Sequence, residues 1–243
     1  KFDVFMIRHG FSTANKTKYC TGPMSSWTRI FQSDPPLDDM GIAMSKQQGL
    51  RLVEKGIVPD FVYCSSLLRA MQTALLMFPD KEVFVLPWIK EKGGTLDNMP
   101  SSMRSQVEAI RDTIGDESAR RLNFKFVEDV LLGRIVSSPG RMLARLHSLE
   151  ARPKKTCSIA IVAHGKSIRE AIISEEDKNA PCPDEWALKN PAGCLMSGKN
   201  GYKLDNNEVW HKRFEYIDAV QQTIADPNDT WGRVVEGFPP TCA

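Results

Sequence analysis

Short apolar runs that stop abruptly at polar, chemistry-bearing residues recur along this chain. Residues 2–7 form one such run, followed by Arg8-His9-Gly10-Phe11-Ser12. Residues 159–163 form another, followed by His164-Gly165-Lys166-Ser167. Near-continuous apolar runs of this length predict strands buried on both faces, as in a parallel sheet covered by helices. A third run, residues 61–64, leads through Ser65-Ser66 into the helix-forming stretch 67–78, with the serines as N-cap candidates and Pro79 as the stop. Residues 83–86 predict a fourth short strand closed by Pro87. Asp38 is placed to cap a helix over about 40–55, ended by Gly56.

Later segments are less regular. Residues 102–114 carry Val107, Ile110 and Ile114 at helical spacing, and 140–151 do the same with Leu143, Leu146 and Leu149. The proline-bearing stretch 180–191 reads as a loop. Residues 209–216 alternate, with Trp210, Phe214 and Tyr216 opposite His211, Arg213 and Glu215, which fits a last edge strand. The tail 217–243, with Pro227, Pro239 and Pro240, reads as irregular. Strands alternating with helices predict an α/β fold, a three-layer sandwich whose central sheet is mainly parallel. Ligands of such sheets sit beyond the carboxyl ends of the strands. His9, His164, Arg69 and the residues after Leu86 all fall at that edge.

Composition narrows the partners. The 243 residues suit one sizeable domain, and the formal charge of +2 gives neither the basic field expected of a nucleic-acid binder nor an acidic tail. An anionic ligand must therefore be drawn by a local pocket. Cys20, Cys64, Cys157, Cys182, Cys194 and Cys242 contain no C-x-x-C pair, so reduced core thiols and a cytoplasmic compartment are expected. No stretch reaches the apolar length of a membrane span. The sequence starts at Lys1 rather than Met, which leaves an upstream targeting segment open.

An Arg-His pair at a strand end before a helix has a clear chemical use. Helix N-terminal amides favour anions, and a guanidinium binds phosphate oxygens in pairs. A neutral imidazole is a competent nucleophile. Two histidines (His9, His164) and two arginines (Arg8, Arg69) converging at one edge would hold a phosphoryl group while charge spreads over its oxygens. His147 and His211 lie on an amphipathic helix pattern and a polar strand face, so no metal site is expected. No phosphate-loop or dinucleotide fingerprint is present, and no cofactor is expected.

Three motifs then carry a resemblance. Arg8-His9-Gly10-x-Ser12-x-x-Asn15, Ser65-x-Leu67-x-Arg69-Ala70-x-x-Thr73-Ala74 and Ala163-His164-Gly165-x-Ser167 occur in order. Together they resemble the histidine phosphatase (phosphoglycerate-mutase-like) superfamily from about residue 2 to 174. The resemblance implies a single domain over 1–243, with 94–153 as a helical and loop roof over the site. It implies His9 as nucleophile, with Arg8, Arg69 and His164 as its phosphate-binding partners. Ser12 and Asn15 fall where members make further polar contacts to phosphate or substrate, and Gly165 and Lys166 flank the second histidine. Glu91, shortly after the fourth strand, matches the proton donor, with Asp97 in reserve.

Departures bear on the activity. Phe11 stands where many members have Glu or Gln. Lys166 stands where many have Asn and can reach a second anionic group of a substrate. Mutases of the family follow their acidic residue with an R-x-Y-G-x-L-x-G segment, whereas this chain has Lys92-Gly93-Gly94-Thr95-Leu96-Asp97-Asn98. The expected activity is therefore metal-independent hydrolysis of a phosphomonoester, on a phosphorylated small molecule or a phosphoprotein, through phosphohistidine on His9. A phosphoglycerate-type mutase and a catalytically weak phosphate-binding or phosphoprotein-binding module are the alternatives.

Overall fold

The apolar runs assemble into one sheet. A computed structural model describes residues 2–20, 32–89, 91, 95–133, 157–172, 204–217, 222–225 and 232–238. The first half of the chain forms β1 (Phe2–Arg8), α1 (Thr13–Cys20), α2 (Asp39–Glu54), β2 (Phe61–Ser65), α3 (Leu68–Met77), β3 (Val83–Leu86) and a 3-10 turn (Leu96–Asn98). There follow α4 (Met103–Ile114), α5 (Asp116–Arg120), β4 (Leu122–Asn123) and α6 (Lys125–Leu131). The remainder forms β5 (Cys157–Ala163), α7 (Gly165–Ile172), β6 (Val209–Ile217), β7 (Gln222–Ala225) and β8 (Gly232–Val235).

The strand order is β4-β3-β2-β5-β1-β6-β7, with β8 also paired to β6. From β4 through β1 all pairings are parallel, whereas β6 runs antiparallel to β1 and pairs antiparallel with β7 and β8. Successive side chains of a strand point to opposite faces, so an apolar run supplies two cores. Ile7, Val62, Cys64, Val85 and Val162 pack on one face with Leu52 of α2, Ala70, Met71 and Ala74 of α3, and Ile110 of α4. Val4, Met6, Tyr63, Phe84 and Ile161 pack on the other with Phe126 of α6 and Ile168 of α7. This is the three-layer α/β sandwich that the pattern implied. Cys64 and Cys157 are buried within it. No helix among the described residues is long and apolar enough to cross a membrane.

Local signals behaved unequally. Asp38 does cap α2, accepting from the Gly41 amide at 2.8 Å, and Gly56 follows the helix with φ of 70°. Ser102 caps α4 through the Ser105 amide. Ser65 and Ser66 do not cap α3; its cap residue is Leu67, which makes no side-chain cap bond, and the Leu68 amide instead donates to Asp34 Oδ1 at 2.8 Å. The acceptor comes from 34 residues away, where no local rule could find it. β6 is not an edge strand, because β7 and β8 pair beside it. The tail is accordingly not irregular throughout: its prolines lie outside two short strands and leave their ladder donors intact. Within the expected roof, β4 joins the sheet next to β3, so that stretch also extends the central layer. The expected helix at 140–151 and loop at 180–191 lie outside the described residues.

Candidate active site

The sheet brings both histidines to one point. β1 and β5 run parallel with Arg8 opposite Ala163, and the His9 amide donates to the Ala163 carbonyl at 2.9 Å. Each imidazole therefore projects from the end of its own strand beside the other, with ring centroids 5.2 Å apart and planes at 58°. His9 Nδ1 lies 2.7 Å from the Gly10 carbonyl oxygen. A carbonyl can only accept, so the proton sits on Nδ1 and the lone pair on Nε2. Arg69 Nε donates toward that lone pair at 3.3 Å. His164 Nε2 meets Ser65 Oγ at 2.7 Å.

Two guanidiniums close around the rings. Arg69 is held by the Asp97 carbonyl at 2.7 Å and by Asn98 Oδ1 at 3.1 Å. Arg8 donates to the Leu204 carbonyl and lies against Gly165, where an added Cβ would come 3.2 Å from Arg8 Nε. Arg8, His9, Arg69 and His164 are all buried. The carboxylate of Glu91 joins them: its oxygen and one nitrogen from each of His9 and His164 lie within 4.8 Å of one another. Three atoms of metal-ligand type thus lie close together where the sequence reading expected no metal site. Two neighbouring guanidiniums disfavour a divalent cation there and favour an anion.

Burial drives both imidazoles well below the ordinary histidine range, and Arg69 pushes further in the same direction. Arg8 adds to this at both rings and His9 adds at His164, while the Gly10 carbonyl pulls His9 partly back. This favours the neutral form of His9, the form in which an imidazole can act as a nucleophile. A stability cost in acid follows. Below about pH 6.5 an unfolded histidine takes up a proton that these folded ones refuse, so stability falls as pH falls. Each histidine adds to this loss until the pH reaches its own folded pKa. Urea unfolding at pH 7.5 and 5.5 should show this loss, reduced in His9→Ala, which removes one of the two groups.

The sequence profile of the histidine phosphatase superfamily (branch 1) matches residues 4–197. The chain belongs to the histidine phosphatase superfamily. Among curated proteins it is similar to a 2,3-bisphosphoglycerate-dependent phosphoglycerate mutase of Nocardia farcinica, with 30% identity over 89% of this chain and 92% of that one. A mutase of the same description from Bifidobacterium longum is 40% identical over 48% of this chain, a match spanning 44% of that relative's length. Among solved structures, a phosphoserine phosphatase from Entamoeba histolytica in complex with 3-phosphoglyceric acid aligns at 19% identity and TM-score 0.45, covering 95% of this chain and 97% of that one. The alpha-ribazole phosphatase of Shigella flexneri aligns at 17% identity and TM-score 0.46, covering 92% and 94%.

In this member of the superfamily the structure brings together Arg8, His9, Arg69, Glu91 and His164. The close cluster contains Glu91 and not Asp97, whose carbonyl instead holds Arg69. Ser12 and Asn15 form a reciprocal cap at the start of α1. Asn15 Oδ1 accepts from the Ser12 amide at 3.2 Å and hydroxyl at 3.1 Å, and Ser12 Oγ accepts from the Asn15 amide at 3.2 Å. Lys166 is exposed in the first turn of α7.

Several supporting groups escaped the sequence reading. Thr73 Oγ1 accepts from the Gly10 amide at 2.9 Å and donates to the Arg69 carbonyl at 2.7 Å, tying the loop after His9 to the helix that carries Arg69. The segment 204–208 braces β1 from behind. Asn206 Nδ2 donates to the His9 carbonyl at 3.1 Å, the Asn207 amide to the Arg8 carbonyl at 3.1 Å, and the Arg8 amide to the Glu208 carbonyl at 3.1 Å. Asn207 adopts φ of 61°, a left-handed conformation that asparagine tolerates better than most residues. The polar run Asp205-Asn206-Asn207-Glu208 just before β6 was the available signal.

Proposed function

We propose that this histidine phosphatase hydrolyses a phosphomonoester through a phosphohistidine on His9. The observation carrying the proposal is the lone pair of neutral His9 Nε2, directed by its Nδ1–H···O bond and set between two buried guanidiniums beside Glu91. His9 Nε2 attacks phosphorus in line, and the bond to the leaving oxygen breaks. Arg8, Arg69 and His164 take up charge on the phosphoryl oxygens. Incoming phosphate replaces His9 Nε2 as the acceptor of the Arg69 Nε–H. The Gly10 carbonyl steadies the Nδ1–H of the ring as it becomes cationic. Protonated Glu91 gives its proton to the leaving oxygen. Its carboxylate then takes one from the water that attacks phosphorus, the P–N bond breaks, and inorganic phosphate leaves with His9 neutral again. Asn15, whose Oδ1 is occupied by Ser12, would offer Nδ2 to the ligand. Gly165 and exposed Lys166 would border it, with Lys166 reaching a second anionic group. The substrate is a phosphorylated small molecule or a phosphoprotein, and the compartment is cytoplasmic.

Mutase activity is the second reading, favoured by the 30% identity to a protein described as a mutase over nearly the whole chain. A mutase must shield its phosphohistidine from water while holding a bisphosphate. The stretch Lys92 to Asn98 lacks the family's mutase segment, which supports hydrolysis. Assay in EDTA with 3-phosphoglycerate and 2,3-bisphosphoglycerate separates the two. Phosphate release should exceed conversion to 2-phosphoglycerate, and efficient bisphosphate-dependent isomerisation would overturn the phosphatase reading.

A further inference from the structure

Asp34 lies in the turn Ser33-Asp34-Pro35-Pro36, outside the three motifs, yet it is buried and bonded on both carboxylate oxygens. Oδ1 accepts from the Leu68 amide at 2.8 Å, at the first turn of α3. Oδ2 accepts from the Ser101 amide and hydroxyl, each at 2.9 Å, and from Gln106 Nε2 at 2.6 Å. Gln106 Nε2 also donates to the Ser66 carbonyl at 2.8 Å, so the same group reaches the chain entering α3. The Asp34 backbone has φ of 46°, a left-handed conformation that residues with a Cβ seldom adopt. Surrounding contacts must hold it there.

The two elements joined by this carboxylate are the two that fix Arg69. Its backbone rides in the first turn of α3, adjacent to Leu68. The Asp97 carbonyl and Asn98 Oδ1, on the turn preceding Ser101, grip its guanidinium tip. One oxygen of Asp34 therefore sets the root of the arginine, and the other anchors the segment that aims its far end. Its negative charge, with those of Glu91 and Asp97, also favours the cationic form of Arg69 against burial.

We infer that Asp34 is a positioning residue for phosphoryl transfer, acting through Arg69 by fixing α3 and the 95–101 segment in one relative placement. The inference rests on Arg69 binding the phosphoryl group. Asp34→Asn keeps an acceptor for Leu68 but turns an amide N–H₂ toward three donors, so the Ser101 and Gln106 side of the junction loosens.

A double-mutant cycle with Arg69→Ala tests this, read as the Kd for orthovanadate and as kcat/KM, with thermal unfolding confirming that each variant is folded. Asp34→Asn alone should weaken vanadate binding about 10- to 100-fold. In the Arg69→Ala background the same change should alter it less than about twofold, because its effect is transmitted through a side chain already removed. Equal losses in both backgrounds would overturn the inference, as would unchanged binding in folded Asp34→Asn. Should Asp34→Asn fail to fold, Ser101→Ala removes the 2.9 Å hydroxyl bond to Asp34 Oδ2 while leaving the Ser101 amide bond, and the same cycle applies with a smaller loss. Vanadate binding reads Arg69 directly, so the cycle decides on Asp34 whether or not the protein turns over a phosphomonoester.

Discussion

His9→Ala is expected to lower kcat for phosphomonoester hydrolysis by more than about 10⁴-fold while leaving the protein folded. The change removes the atom proposed to attack phosphorus, and no neighbour is placed to replace it. His164 lies beside it, yet its Nε2 is engaged by Ser65, and its ring leaves the end of a different strand. The main-chain bonds that brace position 9, from Asn206 and to Ala163, do not involve the imidazole. Arg8 and Arg69 stay in place, so vanadate should still bind measurably. Residual turnover within tenfold of wild type would show that another group performs the transfer. Single-turnover measurement of phosphate release, with circular dichroism as the folding control, makes the comparison.

The second large effect concerns Glu91. Glu91→Gln preserves shape and removes the proton, and general acid catalysis typically contributes about 10²–10⁴-fold. The loss should fall in that range for an alkyl phosphate, whose alkoxide leaves poorly unless protonated. For p-nitrophenyl phosphate it should be far smaller when phosphohistidine formation limits, because p-nitrophenolate leaves without help. If breakdown of the intermediate limits, both substrates slow equally, since the same carboxylate assists the attacking water. Pre-steady-state bursts distinguish these regimes. Near-wild-type rates on both substrates would remove Glu91 from the mechanism and return attention to Asp97.

Much of this site was legible because strand ends are legible. An apolar run that stops at Arg8-His9, and another that stops at His164, place their polar successors at one edge once the strands are parallel. Local spacing also carried Asp38 as a cap and the α4 apolar stripe. What escaped depends on partners far apart in sequence. Asp34 caps a helix 34 residues on, Gln106 reaches back to Asp34 across 72, and Asn206 supports His9 across 197. No periodicity encodes such pairs. β4 is two residues long, too short for any alternation to register, and β7 and β8 are four each among prolines that suggest a loop. Glu91 did not escape: the residues after Leu86 were placed at the same edge, and β3 ending beside β2 there brings its carboxylate to the two histidines.

The most direct test is to find the phosphoryl group in transit. Protein mixed rapidly with labelled substrate and quenched in base, then digested and analysed by mass spectrometry, should yield one phosphoryl group on the peptide containing His9. It should be stable in base, lost in acid and absent from His9→Ala. A label on serine or cysteine, or on no residue at all under conditions where a burst of leaving group is observed, would contradict transfer through His9.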